Sequence, residues 1–293
     1  MPELPEVETV RRGLAPVMEG ARFDKVQANR GDLRWPLQKD FAKRVEGTTV
    51  TGMGRRAKYL LADLSSGDVL VMHLGMSGSF RVTRNGAAAT PGSYYHERSK
   101  QNAHDHVVFH MSSGAVVSFN DPRRFGSMKL VARGELDQEP LLRWLGPEPL
   151  GNEFDAAMLA VACQGKNTSL KAALLDQTVV AGLGNIYVCE ALNLSRLSPR
   201  RVASTLATRS GAPHERTALL VDSIKSVLNA AIKAGGSSLR DHRRTSGELG
   251  TFQHNFRVYD REGQKCLTPG CSGMVRRFTQ NGRSTFWCRV CQK

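Results

Sequence analysis

The sequence predicts an α+β, multidomain chain, and three observations carry that prediction. Residues 1 to about 132 read as mostly strand behind one leading helix. A Pro-rich passage (Pro140, Pro147, Pro149) then gives way to helical periodicity. The tail from Lys265 holds four of the six cysteines, six Lys/Arg and no acid. With 293 residues there is chain enough for two or three compact units. These are expected at 2–132 and 151–251, with a linker at 133–150 and a cysteine-rich tail at 252–293.

The leading helix is placed by Pro5, which suits a first helical position, and by Val7, Val10 and Leu14 at helical spacing. Gly13 or Pro16 should end it. Two hairpins follow from paired apolar runs: 58–64 with 69–74 across Ser65-Ser66-Gly67-Asp68, and 106–111 with 115–119 across Ser112-Ser113-Gly114. Several short strands with turn signals between them suggest a sandwich or barrel. The span 85–103 lacks periodicity and reads as a loop. Helices are expected at 155–163, 168–175, 186–194 and 214–234, the last broken by Gly235-Gly236-Ser237-Ser238. A polar, basic loop should follow from Arg240 to Thr251.

Forty-one Lys+Arg against 27 Asp+Glu give a formal net charge of +14. Such a balance points to a polyanionic partner, of which nucleic acid is the commonest for a compact protein. No stretch approaches the roughly 18 apolar residues of a membrane span. The first residues lack a basic and apolar leader, so the chain is expected in the cytoplasm, with reduced cysteines.

Cys266-x4-Cys271-x16-Cys288-x2-Cys291 has the layout of a four-thiolate zinc site on two knuckles joined by a hairpin. Disulfides are disfavoured in a reducing compartment. Four thiolates leave zinc no open position for water, so one structural Zn2+ is expected and the chemistry must lie elsewhere. Cys163 and Cys189 fall within helical patterns and are expected to be small core residues.

Position 2 is proline, after which the initiator methionine is usually removed. The freed secondary amine titrates near pH 8, so roughly a tenth is neutral at pH 7, against well under a thousandth for lysine. Attack by that amine on a sugar carbon yields a charged iminium, an electron sink for eliminations. Glu3 beside it could donate a proton and Glu6 could support the site. Read from spacing alone, however, Pro2, Glu3, Pro5 and Glu6 start and cap a helix rather than form a site. His104, His106 and His110 are expected on one strand, without further metal ligands in register, as hydrogen-bonded or phosphate-facing residues. Gly182-x-Gly184-Asn185 at a helix start could hold a phosphate. Taken singly, Lys58 reads as a solvated charge, and Met76 and Phe125 as core residues.

Residues 2–8, Pro-Glu-Leu-Pro-Glu-Val-Glu, open a series of matches that runs in order along the whole chain. It continues through Gly54-Arg55-Arg56-Ala57-Lys58-Tyr59-Leu60, His73-Leu74-Gly75-Met76-Ser77-Gly78, Asp121-Pro122-Arg123-Arg124-Phe125-Gly126, Gly184-Asn185-Ile186-Tyr187 and the four cysteines. In these the chain resembles the formamidopyrimidine-DNA glycosylases. The resemblance implies an N-terminal β-sandwich, a helix–two-turn–helix domain and a C-terminal zinc finger with a β-hairpin, with damaged double-stranded DNA bound between lobes. It implies a bacterial base-excision enzyme, found at the nucleoid when bound to DNA; a monomer is the default expectation for a cleft enzyme that closes on DNA. Excision of oxidised purines (8-oxoguanine, formamidopyrimidines) would proceed through a Schiff base on Pro2, with Glu3 as proton donor. Lys58 would serve β-elimination and Arg283 δ-elimination. His104, Arg123, Lys166 and Asn185 would contact DNA, while Met76, Arg123 and Phe125 would fill the void left by the extruded nucleotide. Leu4 and that trio resemble the purine-specific branch rather than the related endonuclease VIII type. The first knuckle, C-x4-C, is wider than the family's C-x2-C and should bulge at Thr268-Pro269-Gly270.

Overall fold

The computed structural model describes residues 1–84, 87–89, 91, 102–237 and 251–293. These form two compact units, residues 1–143 with 234–251, and residues 144–233 with 252–293. The 234–251 stretch, expected to belong with the helices before it, groups with the first unit. The expected Arg240–Thr251 loop lies outside the described residues except for Thr251 itself.

The first unit opens with α1 (Leu4–Met18), followed by β1 (Phe23–Ala28), a short α2 (Phe41–Val45), β2 (Val50–Arg56), β3 (Tyr59–Leu64), β4 (Asp68–His73), β5 (Ser79–Arg84), β6 (Ala87–Ala89), β7 (Asp105–Met111), β8 (Val116–Asn120) and β9 (Ser127–Ala132). Two antiparallel sheets result, ordered β1-β7-β8-β5-β6 and β2-β3-β4-β9. One core joins them: Phe23, Phe80, Phe109 and Phe119 from the first sheet pack with Leu60, Leu70, Met72 and Leu130 of the second. Val7, Val10, Leu14 and Met18 of α1 seal the same core. This is a β-sandwich, as the density of short strands predicts.

Two expectations fail here. Helix α1 does not stop at Gly13 or Pro16 but runs to Met18. Gly13 is set by packing, since a Cβ there would strike the Pro91 side chain. Pro16 forfeits only its own N–H, in the last turn, while Leu14 and Met18 hold that turn in the core. The span 85–103 is also not all loop: Ala87–Ala89 pairs with Val82–Arg84 as β6, and Asn102–His104 is a 3-10 turn. The remainder of that span, apart from Pro91 and Ala103, is not described.

The second unit contains α3 (Ala156–Cys163), α4 (Leu170–Leu175), α5 (Asn185–Leu194), α6 (Glu215–Lys233), β10 (Val275–Gln280) and β11 (Arg283–Cys288). Asp155 caps α3 by accepting the Met158 N–H at 2.7 Å, and Ser169 caps α4 by accepting the Ala172 N–H at 3.3 Å. Strands β10 and β11 form a hairpin turned at Asn281-Gly282, both with positive φ, the geometry a two-residue turn needs. Cys163 and Cys189 are buried, Cys189 against Val258, Val275 and Phe286. Glu190, on α5 and 1% exposed, accepts the backbone N–H groups of Arg257 (2.7 Å), Val258 (3.0 Å) and Tyr259 (2.8 Å). Helices and hairpin therefore share one unit.

Candidate active site and nucleic-acid interface

The start of α1 is buried: Pro2, Glu3 at 4% and Glu6 at 3% exposure. Glu6 is a strut. Its Oε2 accepts the Glu3 N–H at 2.9 Å, and its Oε1 accepts the backbone N–H and hydroxyl of Ser237 at 2.8 and 3.0 Å. Gly236, at φ +84°, lets the chain pass so close that a Cβ would lie 3.1 Å from the same oxygen. One buried carboxylate thus fixes both the residue after Pro2 and a segment distant in sequence. With Met1 attached, the Pro2 nitrogen is an amide; its removal leaves the secondary amine at this buried helix start.

Helix α1 is tied to β2 by Glu8, which pairs with Arg11 and Arg12 on its own helix and with Arg55 Nε at 3.3 Å. Burial pushes the Glu8 carboxyl up, but these arginines outweigh it and hold it below the ordinary value. Arg55 in turn donates to the Ala57 carbonyl at 2.9 Å, bracing the β2–β3 turn where Ala57 sits at φ +51°. Lys58 occupies that turn with only 7% exposure. A lysine so enclosed is not the solvated charge its isolated position suggests.

His73 ends β4 directly opposite Tyr59 on β3 and Ser127 on β9, so Lys58, His73 and the start of β9 share one end of the sheet. Burial first, then the charges of Lys58 and Arg34, lowers the His73 pKa to about 4. The neutral ring accepts the Gly75 N–H on Nδ1 at 3.0 Å. Sequence reasoning assigned His73 no role, although it opens one of the matched motifs. Beyond it, Met76 and Phe125 stand 37% and 42% exposed, in contrast to the buried apolar residues of the sandwich. The Arg123 guanidinium lies 4.8 Å from the Phe125 ring centre. The structure therefore places Met76, Arg123 and Phe125 at the surface, not in the core. His104 lies in a 3-10 turn before β7 rather than on the strand, and its carbonyl accepts the Asp121 N–H at 3.1 Å. His106 Nε2 donates to the Asp121 carbonyl (2.8 Å) and His110 faces Gln27 (3.3 Å), so neither joins a metal cluster among the described residues.

In the second unit, Asn185 begins α5 after Gly184, with its Nδ2 donating to the Ser284 carbonyl at 2.9 Å. Lys171, 1% exposed, donates to the same carbonyl at 3.2 Å and to Thr285 Oγ1 at 2.7 Å. These two side chains fix the backbone beside Arg283, which opens β11 and is itself exposed. Lys166, half-buried after α3, is held by its backbone to Cys163 and Ser204.

The sulfurs of Cys266, Cys271, Cys288 and Cys291 all lie within 4.8 Å of one another. Cys266 and Cys291 are 3.7 Å apart, and Cys271 and Cys288 are 3.6 Å apart. A tetrahedron of thiolates about 2.3 Å from a central ion has edges of roughly 3.8 Å. The donor set fits a tetracoordinate thiophilic metal. The wide first knuckle closes as a turn, with the Cys271 N–H donating to the Thr268 carbonyl at 3.0 Å and Gly270 at φ +73°. Its extra residues leave all four sulfurs in place.

Comparison with known proteins bears on the whole chain. Residues 1–128 match the model of the formamidopyrimidine-DNA glycosylase N-terminal domain, and residues 145–243 match the H2TH domain of the same glycosylases. The formamidopyrimidine-DNA glycosylase of Rhodopseudomonas palustris (strain HaA2) is 72% identical over 292 residues, and that of Bradyrhizobium sp. (strain BTAi1) 71% over 293, with both chains covered in full. Among solved structures, a Lactococcus lactis FPG mutant complexed with Fapy-dG-containing DNA superposes with a TM-score of 0.82 at 32% identity, over 100% of each chain. The Lactococcus lactis Fpg complex with abasic-site DNA gives the same values. Within the described residues no helix is long and apolar enough to cross a membrane.

Proposed function

Because this chain belongs to the formamidopyrimidine-DNA glycosylase family, acting on damaged DNA, we propose that it is a bifunctional glycosylase and lyase with Pro2 as nucleophile. The observation that carries this reading is the buried start of α1, where Glu6 pins Glu3 beside the Pro2 nitrogen. A free secondary amine there is nucleophilic near neutral pH without a special pocket.

In the proposed sequence the Pro2 nitrogen forms a bond to C1′ of the extruded nucleotide as the bond from C1′ to the damaged base breaks. Glu3 supplies a proton to the ring oxygen of the opening sugar, and the base leaves with the proton that the Pro2 amine gives up. Loss of the ring oxygen from C1′ gives the iminium. That cation acidifies the C2′ proton; Lys58, at the enclosed end of the sheet, would serve its removal as the 3′ phosphate is expelled. Arg283 serves expulsion of the 5′ phosphate, which leaves a one-nucleotide gap. Oxidised purines, 8-oxoguanine and formamidopyrimidines, are the proposed substrates. His104, Arg123, Lys166 and Asn185 are the proposed DNA contacts, and Met76, Arg123 and Phe125 the proposed void fillers. The four cysteines would hold one Zn2+, which when bound stiffens the hairpin that carries Arg283. A monomer working in the bacterial cytoplasm, at the nucleoid when on DNA, completes the proposal.

Borohydride trapping tests it on a duplex with one 8-oxoguanine opposite cytosine, followed by mass mapping. The expected adduct lies on a Met-less N-terminal peptide at Pro2. Tight binding without an adduct overturns the Schiff-base route, and faster release of thymine glycol than of 8-oxoguanine overturns the purine assignment.

A further inference from the structure

Asp121 is 0% exposed, and among the described residues no cation pairs with its carboxylate. A buried carboxylate is costly unless its oxygens are fully engaged. Here the two oxygens engage two different loops. Oδ1 accepts the hydroxyl of Ser77, next to Met76, and Oδ2 accepts the Gly126 N–H at 2.8 Å, next to Phe125. Ser77 Oγ passes the connection on by accepting the Arg123 N–H at 3.1 Å. The backbone of Asp121 is itself anchored, through its N–H to the His104 carbonyl and through its carbonyl to His106 Nε2.

The loops also interlock without side chains. Gly75 has φ +62°, and a Cβ there would overlap the Phe125 carbonyl and meet the Gly126 nitrogen. Gly126 leaves as little room, with a Cβ falling 2.6 Å from Phe119 and 2.9 Å from the His73 carbonyl. Each loop alone is a short surface turn with an exposed apolar tip. Joined, they cannot splay when the tips press into a base stack.

We infer that Asp121 is a positioning residue for lesion extrusion: it clasps the Met76 loop and the Arg123–Phe125 turn into one wedge. The inference rests on the proposed void-filling role of those three side chains. It predicts a division of labour, since extruding a nucleotide from a duplex needs the wedge, whereas a single-stranded abasic site needs no extrusion.

The test compares Asp121→Ala, Asp121→Asn and Ser77→Ala with the parent chain on two substrates. One is a duplex carrying 8-oxoguanine opposite cytosine with 2-aminopurine beside the lesion. The other is a single-stranded abasic oligonucleotide trapped with borohydride. Asp121→Ala should slow duplex excision about 10- to 100-fold, the scale of small positional errors, and reduce the 2-aminopurine signal of unstacking. Trapping on the single strand should change by less than about threefold. Ser77→Ala, which frees one arm, should shift the same ratio in the same direction. Asp121→Asn keeps an acceptor for Gly126 and offers a donor to Ser77, so it should restore most duplex activity. Equal losses on both substrates, or unchanged duplex excision in Ser77→Ala, overturn the inference. If Asp121→Ala fails to fold, the other two variants still decide. Should the parent chain itself trap nothing, the Schiff-base reading fails, and the 2-aminopurine signal continues to read the clasp.

Discussion

Glu190 offers a sharp test of how the hairpin is held to the helices. Replacing it with alanine removes the acceptor for three consecutive backbone N–H groups. Val258 is fully buried, so its N–H becomes an orphan costing about 1–3 kcal/mol. Arg257 and Tyr259 are half-buried, and water can reach theirs for a fraction of that. With the small cavity left behind, the loss comes to about 3–4 kcal/mol. At roughly 3 °C per kcal/mol for a unit of this size, calorimetry should show the second unit melting about 10 °C lower. Glutamine should cost less than alanine. Burial pushes the Glu190 carboxyl up, against the pull of the Arg257, Tyr259 and Val258 N–H groups. A raised carboxyl stabilises the fold most below the unfolded value and loses that contribution as pH rises through the folded value. The amide keeps a carbonyl acceptor and has no charge to desolvate. A fall of under 2 °C in Glu190→Ala, or a larger fall for glutamine than for alanine, would refute this accounting.

His73 should make stability depend on pH in the opposite sense. Its pKa falls from 6.5 to about 4 on folding, so its contribution is complete above pH 6.5 and is lost as pH drops through that window. The loss is about 2 kcal/mol by pH 5, and His73→Gln should flatten the melting-temperature difference between pH 7 and pH 5 relative to the parent. A chelator that strips the four-cysteine cluster should weaken binding to a lesion-containing duplex at least about tenfold, in line with a site that grips phosphates. Base release at saturating enzyme should change far less; the reverse order of losses would assign the metal to chemistry.

Much of this architecture could be read from local signals. The helices expected at 155–163 and 186–194 lie at Ala156–Cys163, which Asp155 caps, and at Asn185–Leu194. The hairpins were equally plain from Ser-Gly turns between alternating runs. Gly13 and Pro16 look like breakers in isolation, and only the core contacts of Met18 and the closeness of Pro91 explain why α1 runs past them. The residues that organise the site were hidden for a related reason. Ser237 meets Glu6 from 231 positions away, and Ser77 meets Asp121 from 44. Nothing local distinguishes such a serine from one in an ordinary loop. Asp121 was visible within a matched motif, but its double engagement was not, since hydrogen-bond direction leaves no trace in residue order.

The pairing of β4 with β9 has a consequence for how the molecule comes into being. His73 and Ser127 are neighbours across that pairing, yet the chain between them folds back as β5, β6, β7 and β8 of the other sheet. Closing so long a loop carries an entropic cost that early local hairpins do not bear. On the ribosome, the segment bearing Met76 emerges well before its companion at Phe125, and it waits with its apolar tip uncovered. The Met76 turn can therefore join its neighbours at Asp121 and Gly126 only after every strand between them has been made.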